Sequence, residues 1–181
     1  MTVTLLKPKS AQDGVRVIDG FLPEMMFNDI QELLMGSWFQ WYFAPSVNGN
    51  PNEETCFQFV HQFFGQYEIL SDHYKRCCLP ILDQLDAKAV MRIKANMQAR
   101  DATNSEGGWH VDYEDSAPSR TAILYINDNN GYTRFKDTDQ IVYSKANRLV
   151  DFPSHMEHTG ATQTDTKARV VMNINYLPST K

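Results

Sequence analysis

His110-Val111-Asp112 sets an imidazole and a carboxylate on alternate residues. On a strand, alternate side chains leave the same face about one side chain's width apart, so a divalent metal could sit between them. The triplet alone is weak evidence, because a surface His beside an exposed Asp spells the same letters. A later imidazole strengthens it: His158 stands just before the small-residue turn Thr159-Gly160-Ala161, far enough along the chain for several strands to travel out and return. Two His and one carboxylate make the facial triad that leaves three positions open, the arrangement suited to non-haem Fe(II) and dioxygen. Zinc can use the same ligands with a water in the fourth place. His155 competes for the distal role. His158 is preferred because it begins a strand pattern, whereas His155 follows a Pro-Ser turn and has a solvated side chain as its plain alternative.

Arg169 discriminates further. In Ala168-Arg169-Val170-Val171-Met172-Asn173-Ile174-Asn175-Tyr176 the even positions are apolar, a core face, and the odd positions are Arg, Val, Asn and Asn. If that odd face lines the interior of a jelly roll, the Arg is costly there unless it meets an anion. Its planar fork suits a carboxylate, which implies an acidic small molecule bound deep in the barrel. In Thr121-Ala122-Ile123-Leu124-Tyr125, Tyr125 shares a face with Thr121 and Ile123. Its hydroxyl could reach the same carboxylate, or Tyr125 could be a core residue with a satisfied hydroxyl.

These residues need a scaffold. A short strand from Val15 to Ile18 is expected first, then a helix over about Glu24 to Met35, where Phe27, Ile30, Leu33 and Leu34 share one face and Gly36 ends it. Trp38 to Phe43 has strand composition. Another strand is expected near Cys56 to Val60, and a second helix across Gln66 to Leu85 that Pro80 ends or kinks. From Ala89 short strands alternate with turns: Val90–Gln98, Gly108–Asp112, Arg120–Asn127, Tyr132–Phe135, Gln140–Tyr143, Arg148–Asp151, His158–Gly160 and Ala168–Tyr176. Eight short strands fit a jelly roll, with the two helices covering one outer sheet face in a mainly β, α+β protein. Residues 1–88 then form a helical and strand support for a β core over 89–177, within one domain spanning 1–181.

Composition limits the partners. The 181 residues carry 17 Lys and Arg against 22 Asp and Glu, a net charge of -5. No stripe of basic residues suits a phosphate backbone, so nucleic acid is not expected as a partner. No apolar run approaches a membrane span and the start shows no signal-peptide core, so the chain is read as cytoplasmic without a membrane partner. Three cysteines, Cys56, Cys77 and Cys78, have no pair at metal-knuckle spacing and read as reduced thiols, with Cys56 buried in a strand. The loops Ala44–Glu54 and Arg100–Gly108 are long enough to act as a lid. Trp38, Trp41 and Tyr42 could line a groove, though an aromatic strand is more often core. Arg120 and Arg134 could meet an acidic substrate or simply be solvated.

Five segments in order, Trp109-His110-Val111-Asp112, Asn130-Gly131-Tyr132-Thr133-Arg134-Phe135, Asn147-Arg148-Leu149-Val150, His158-Thr159-Gly160 and Arg169 through Tyr176, resemble the iron(II) and 2-oxoglutarate dependent oxygenases. The resemblance is closest to the small prolyl-hydroxylase-like branch with bacterial and phage-encoded members, and covers roughly Ala89 to Leu177. It implies a double-stranded β-helix with Fe(II) on His110, Asp112 and His158. It also implies 2-oxoglutarate on Arg169 with help from Tyr125, and dioxygen as co-reactant, with ascorbate as reductant in vitro. The strand Met91 to Asn96 lacks the tyrosine that prolyl hydroxylases carry nearby, and Asn96 stands as its replacement beside the cosubstrate. The implied reaction is hydroxylation of an unactivated C–H, with a prolyl or other peptide side chain as favoured target and Trp109, Arg120 and Arg134 as candidate substrate residues. Two alternatives stay open: a hydroxylase of a free amino acid or small metabolite, and a non-catalytic metal-containing binding module.

Overall fold

The computed structural model describes residues 14–47, 57–114 and 118–179. In chain order the elements are β1 (Arg16–Asp19), α1 (Glu24–Leu34), β2 (Tyr42–Ala44), β3 (Gln58–Gly65), β4 (Glu68–Ile69), α2 (Tyr74–Leu85), β5 (Ala87–Ala99), β6 (Arg120–Tyr125), β7 (Tyr132–Phe135), β8 (Ile141–Tyr143), β9 (Arg148–Pro153), β10 (His158–Gly160) and β11 (Ala168–Pro178). A large antiparallel sheet runs β1-β9-β6-β11-β5-β3-β2, with β4 paired to β3, and a small sheet runs β10-β7-β8. The two sheets form a double-stranded β-helix, and both helices lie on the outside of the large sheet.

The period of two in the strands decides which residue goes to which side. On β11, Val170, Met172, Ile174 and Tyr176 are buried against Phe27, Ile30 and Leu34 of α1 and Cys77, Cys78 and Ile81 of α2. Burying each such side chain contributes about 1.5–3 kcal/mol. The alternate residues face the small sheet. There Val171 joins Ile123, Tyr125, Val150 and Phe152 of the large sheet and Phe135 and Val142 of the small one in a second apolar cluster. The rest of the space between the sheets is a polar-lined cavity.

Several elements differ from their expected bounds. The first helix keeps its start at Glu24 but ends at Leu34, with Met35 as its cap. The second begins at Tyr74 rather than Gln66. Gln66 and Tyr67 both take positive φ, 52° and 65°, and two such residues close the tight hairpin from β3 to β4. Pro80 lies inside α2, which continues to Leu85. Only Tyr42–Ala44 of the aromatic stretch pairs as a strand; Phe39 is buried instead against Phe63 and His61. The strand expected over Gly108–Asp112 reduces to one bridge, His110 with His158. Cys56 and most of the expected 44–54 loop lie outside the described residues. Cys77 and Cys78 are buried, and burial pushes both thiols up, Cys77 to about 12. No helix among the described residues is long and apolar enough to cross a membrane.

Strand parity also corrects the assignment of Arg120. It precedes the inward-facing Thr121 and so points to the helix side, where its Nε donates to both carboxylate oxygens of Asp151 at 3.0 Å. Asp151 is 0% exposed and also accepts from Arg16 and from the Tyr176 hydroxyl. Arg120 is therefore structural. Arg120→Ala is expected to lower unfolding free energy by about 3 kcal/mol, because it strips a buried carboxylate of the more deeply buried of its two guanidinium partners. Urea denaturation checks this, and ligand binding at the cavity should not change.

Candidate active site

His110 and His158 are neighbours because their backbones form an antiparallel bridge, His110 N to His158 O at 3.1 Å and the reverse at 3.0 Å. Asp112 follows on a bend held by its N–H to Ser154 O at 3.1 Å. One ligand atom from each of the three lies within 4.8 Å of the other two. His110 Nδ1 is 3.2 Å from Gly108 O and His158 Nδ1 is 3.0 Å from Met156 O. A carbonyl only accepts, so each Nδ1 carries the proton and each Nε2 keeps its lone pair for a metal. Burial, with the His110 imidazole beside it, lowers the pKa of His158 and favours the neutral form a ligand needs. His155 is exposed and outside the cluster.

Asp112 is held by three donors. Its Oδ2 accepts from Thr121 Oγ1 at 2.7 Å and Asn175 Nδ2 at 3.1 Å, and its Oδ1 from Arg92 Nη2 at 3.1 Å. Arg92 Nε in turn donates to Asn175 Oδ1 at 3.0 Å. Burial acts to raise the carboxyl pKa, but His158, the Thr121 bond and Arg92 outweigh it and keep the value below the usual carboxylate range. Neither Arg92 nor Asn175 nor Thr121 was singled out for this task from sequence. Their signal was present in the alternation Arg92, Lys94, Asn96, Gln98 on β5 and Arg169, Asn173, Asn175 on β11, strands that pair directly.

Arg169 closes the inner end of the cavity, which has a volume of about 70 Å³ and is lined by the triad, Arg169, Thr133, Gln98, Asn96, Lys94 and Asn173 among others. Arg169 is 5% exposed. It donates only to neutral acceptors: Ser144 Oγ at 3.0 Å, Gln98 Oε1 at 3.1 Å and Tyr132 O at 3.4 Å. Among the described residues no carboxylate pairs with it, and burial lowers its pKa. Tyr125 lies beneath it, its ring centroid 5.7 Å from Arg169 Cζ. The Tyr125 hydroxyl, however, is 2.8 Å from Thr133 Oγ1 and 3.3 Å from Val142 O. Of this pair, Thr133 is the one that lines the cavity. Gly131 lets the arginine pass: a Cβ there would stand 2.6 Å from Arg169 Cδ, 2.8 Å from Asn129 Oδ1 and 2.9 Å from Ala161 O.

The remaining candidates divide. Asn96 lines the cavity with its buried Oδ1 unpartnered among the described residues, as does Asn173. Trp109 is 39% exposed and not part of the lining. Arg134 points away, because Thr133 and Phe135 on either side of it point in; it binds Asp139 and Glu106. Trp38 is exposed, and Trp41 packs edge-on against Phe39 at 5.0 Å. Of the first candidate lid, Val47 borders the cavity, and residues 48–56 lie outside the description. The second, 100–108, is tied down by Arg100 N to Lys167 O, Asp101 N to Gln163 O and Gly107 N to Gly160 O, each at 3.0 Å.

The chain has the fold of solved 2-oxoglutarate–Fe(II) oxygenases, with two imidazoles and a carboxylate at one end of its cavity and a buried arginine at the other. No protein-family model and no curated protein matches the sequence. Among solved structures, a Pseudomonas putida prolyl-4-hydroxylase aligns with a TM-score of 0.63 at 16% identity, over 93% of this chain and 95% of its own. An oxidoreductase of the 2OG-Fe(II) oxygenase family from Burkholderia pseudomallei gives 0.64 at 10% identity, over 90% and 85%. The non-heme alpha ketoglutarate dependent epimerase SnoN from nogalamycin biosynthesis gives 0.65 at 13%, over 93% and 79%.

Two outcomes follow from the geometry. His110→Ala is expected to remove measurable Mn(II) binding in calorimetry while the melting temperature of the metal-free protein stays within a few degrees, since the residue borders a cavity. Gly131→Ala is expected to displace Arg169 and weaken 2-oxoglutarate roughly tenfold or more, the size of one lost charged hydrogen bond, with metal affinity kept.

Proposed function

We propose that residues 1–181 form an Fe(II)- and 2-oxoglutarate-dependent dioxygenase that hydroxylates an unactivated C–H while 2-oxoglutarate is converted to succinate and CO2. The observation that carries this reading is Arg169, a buried cation with no paired anion among the described residues, at the far end of a cavity from two imidazoles and a carboxylate. The donor set suits Fe(II), since two neutral nitrogens and one carboxylate leave open positions for a bidentate keto acid and dioxygen. Solved structures with this fold include SnoN with Fe3+ and alpha ketoglutarate and a HygX complex with nickel and 2-oxoglutarate.

The iron and its cosubstrate would supply the oxidation itself. This chain's residues would do the rest. His110, Asp112 and His158 would hold the metal, and the carbonyls of Gly108 and Met156 fix the imidazole orientation. Arg92, Thr121 and Asn175 hold the Asp112 carboxylate ionised and in one orientation. Arg169 and Thr133 would take the distal carboxylate of 2-oxoglutarate, and the apolar Ile123 and Val171 beside them keep water from the reacting centre. Trp109, exposed beside His110 in the sequence, and Asn96, inside the cavity, would meet the substrate and the cosubstrate respectively. A peptidyl proline is the target class that the prolyl-hydroxylase resemblance supports; Lys94, in the cavity and without a hydrogen bond or ion pair among the described residues, favours a second reading, a substrate with a free carboxylate.

Anaerobic titration of the Fe(II) protein with 2-oxoglutarate tests the proposal. A weak visible charge-transfer band is expected in the wild type and not in His158→Ala. Iron binding without a band would turn the assignment to the non-catalytic module or to zinc.

A further inference from the structure

Lys94 points into the cavity from β5, directly opposite Asn173 of β11 in the strand register. Among the described residues its ammonium makes no hydrogen bond and no ion pair. Its position along the strand separates it from the cosubstrate's arginine. Arg169 pairs with Gln98, four residues farther along β5, which at about 3.3 Å per residue is roughly 13 Å of strand. The adjacent inward pair on the other side, Arg92 and Asn175, is the pair that grips Asp112. Lys94 therefore stands at the metal end of the cavity.

Charge bookkeeping at that end is unbalanced. On the oxygenase reading, the positive charges of the ferrous dication, Arg92, Arg169 and Lys94 would outnumber the negative charges of Asp112 and the 2-oxoglutarate dianion. Asp112 is paired with Arg92, and the two cosubstrate carboxylates would go to Arg169 and the metal, so Lys94 is left without a paired anion among the described residues. Burial, with Arg92 close by, lowers its pKa to about 8, while Asp112 acts to raise it. Next to it, Asn173 Oδ1 is a buried acceptor without a donor. An unmatched cation and an unmatched acceptor on facing residues are complementary to a group that carries an anionic oxygen beside an N–H.

We infer that the substrate presents a free carboxylate to Lys94, with a neighbouring N–H directed to Asn173 Oδ1, so that hydroxylation occurs on an amino acid, free or at a chain terminus, and not on an interior peptide residue. The inference rests on the oxygenase reading and narrows its substrate class. A neutral interior peptide unit would leave the ammonium desolvated and unpaired, a cost that only an anion removes.

Calorimetry on protein loaded with Mn(II) and 2-oxoglutarate tests it without turnover. The probes are the protein amino acids as free acids, the same compounds as primary carboxamides, and their N-acetylglycyl derivatives with a free C-terminus. At least one acid is expected to bind, with its carboxamide and the Lys94→Met variant each weaker by roughly tenfold or more, and with Lys94→Arg restoring part of the loss. The N-acetylglycyl arm separates a free amino acid from a chain terminus. Acids and amides of equal affinity, or no acid bound, overturns the inference. So does a Lys94→Met protein whose charge-transfer titration shows 2-oxoglutarate weakened as much as in Arg169→Ala, because Lys94 would then serve the cosubstrate. A wild type with no band overturns the oxygenase reading itself, which keeps the two failures apart.

Discussion

The two faces of β11 are under opposite demands, and the rest of the molecule is arranged around them. One face must be apolar, because α1 and α2 have no other surface on which to bury Phe27, Ile30, Leu34, Cys77, Cys78 and Ile81. The other must be polar, because it carries Arg169, Asn173 and Asn175 toward the cavity. A shift of one residue in the pairing of β11 with β5 or β6 would exchange the faces, burying a guanidinium among hydrocarbon side chains and turning Met172 and Ile174 into the site. Packing energy on the helix side thus fixes the register that aligns Arg169 with Gln98 and Asn175 with Arg92. The site's precision is inherited from a hydrophobic core it does not touch.

The metal cluster shows a second dependence, of side chains on backbone. His110 and His158 are brought together by a two-bond bridge between otherwise separate segments, and both imidazoles are oriented by carbonyls two residues earlier in their own chain. Asp112 has no such local support. It is oriented from the large sheet by Thr121, Asn175 and Arg92. Three donors satisfy most of the carboxylate's lone pairs, which limits how it can meet a cation and holds it ionised before any metal arrives.

Much of this was legible in the sequence, and the parts that were not have physical reasons. The β11 alternation separated core from cavity correctly, and the helices fell on the outer face as their apolar stripes require. The spacing of His110 and Asp112 was read as a strand, but Asp112 lies on a bend, so the two meet through tertiary bonding to Ser154 and not through strand period. The start of α2 was missed because left-handed residues at Gln66 and Tyr67 are unusual for non-glycine side chains and carry no compositional mark. Arg120 was within reach of the same parity rule that placed Thr121, and Arg134 of the rule that placed Thr133. Tyr125 shares the inward face, and its hydroxyl bonds to Thr133, which lines the cavity, a tertiary contact that no periodicity encodes.

Two ionic clusters in the molecule make the distinction between structure and function physical. Asp151 is wholly buried, yet its oxygens are met by Arg16, Arg120 and Tyr176, so the cluster on the helix side is closed and has nothing left to offer a ligand. Between the sheets the opposite holds. Arg169 has only neutral acceptors, Lys94 has none, and two of the three buried oxygens without partners among the described residues, on Asn96 and Asn173, line the same cavity. Those unmet valences are a cost to stability. Their concentration around one cluster of metal-ligating side chains, with cations at both ends of the cavity, is what a site for two anionic small molecules requires. On the oxygenase reading the second of those molecules is the substrate, and Lys94, near the metal-ligating cluster and away from Arg169, would select it.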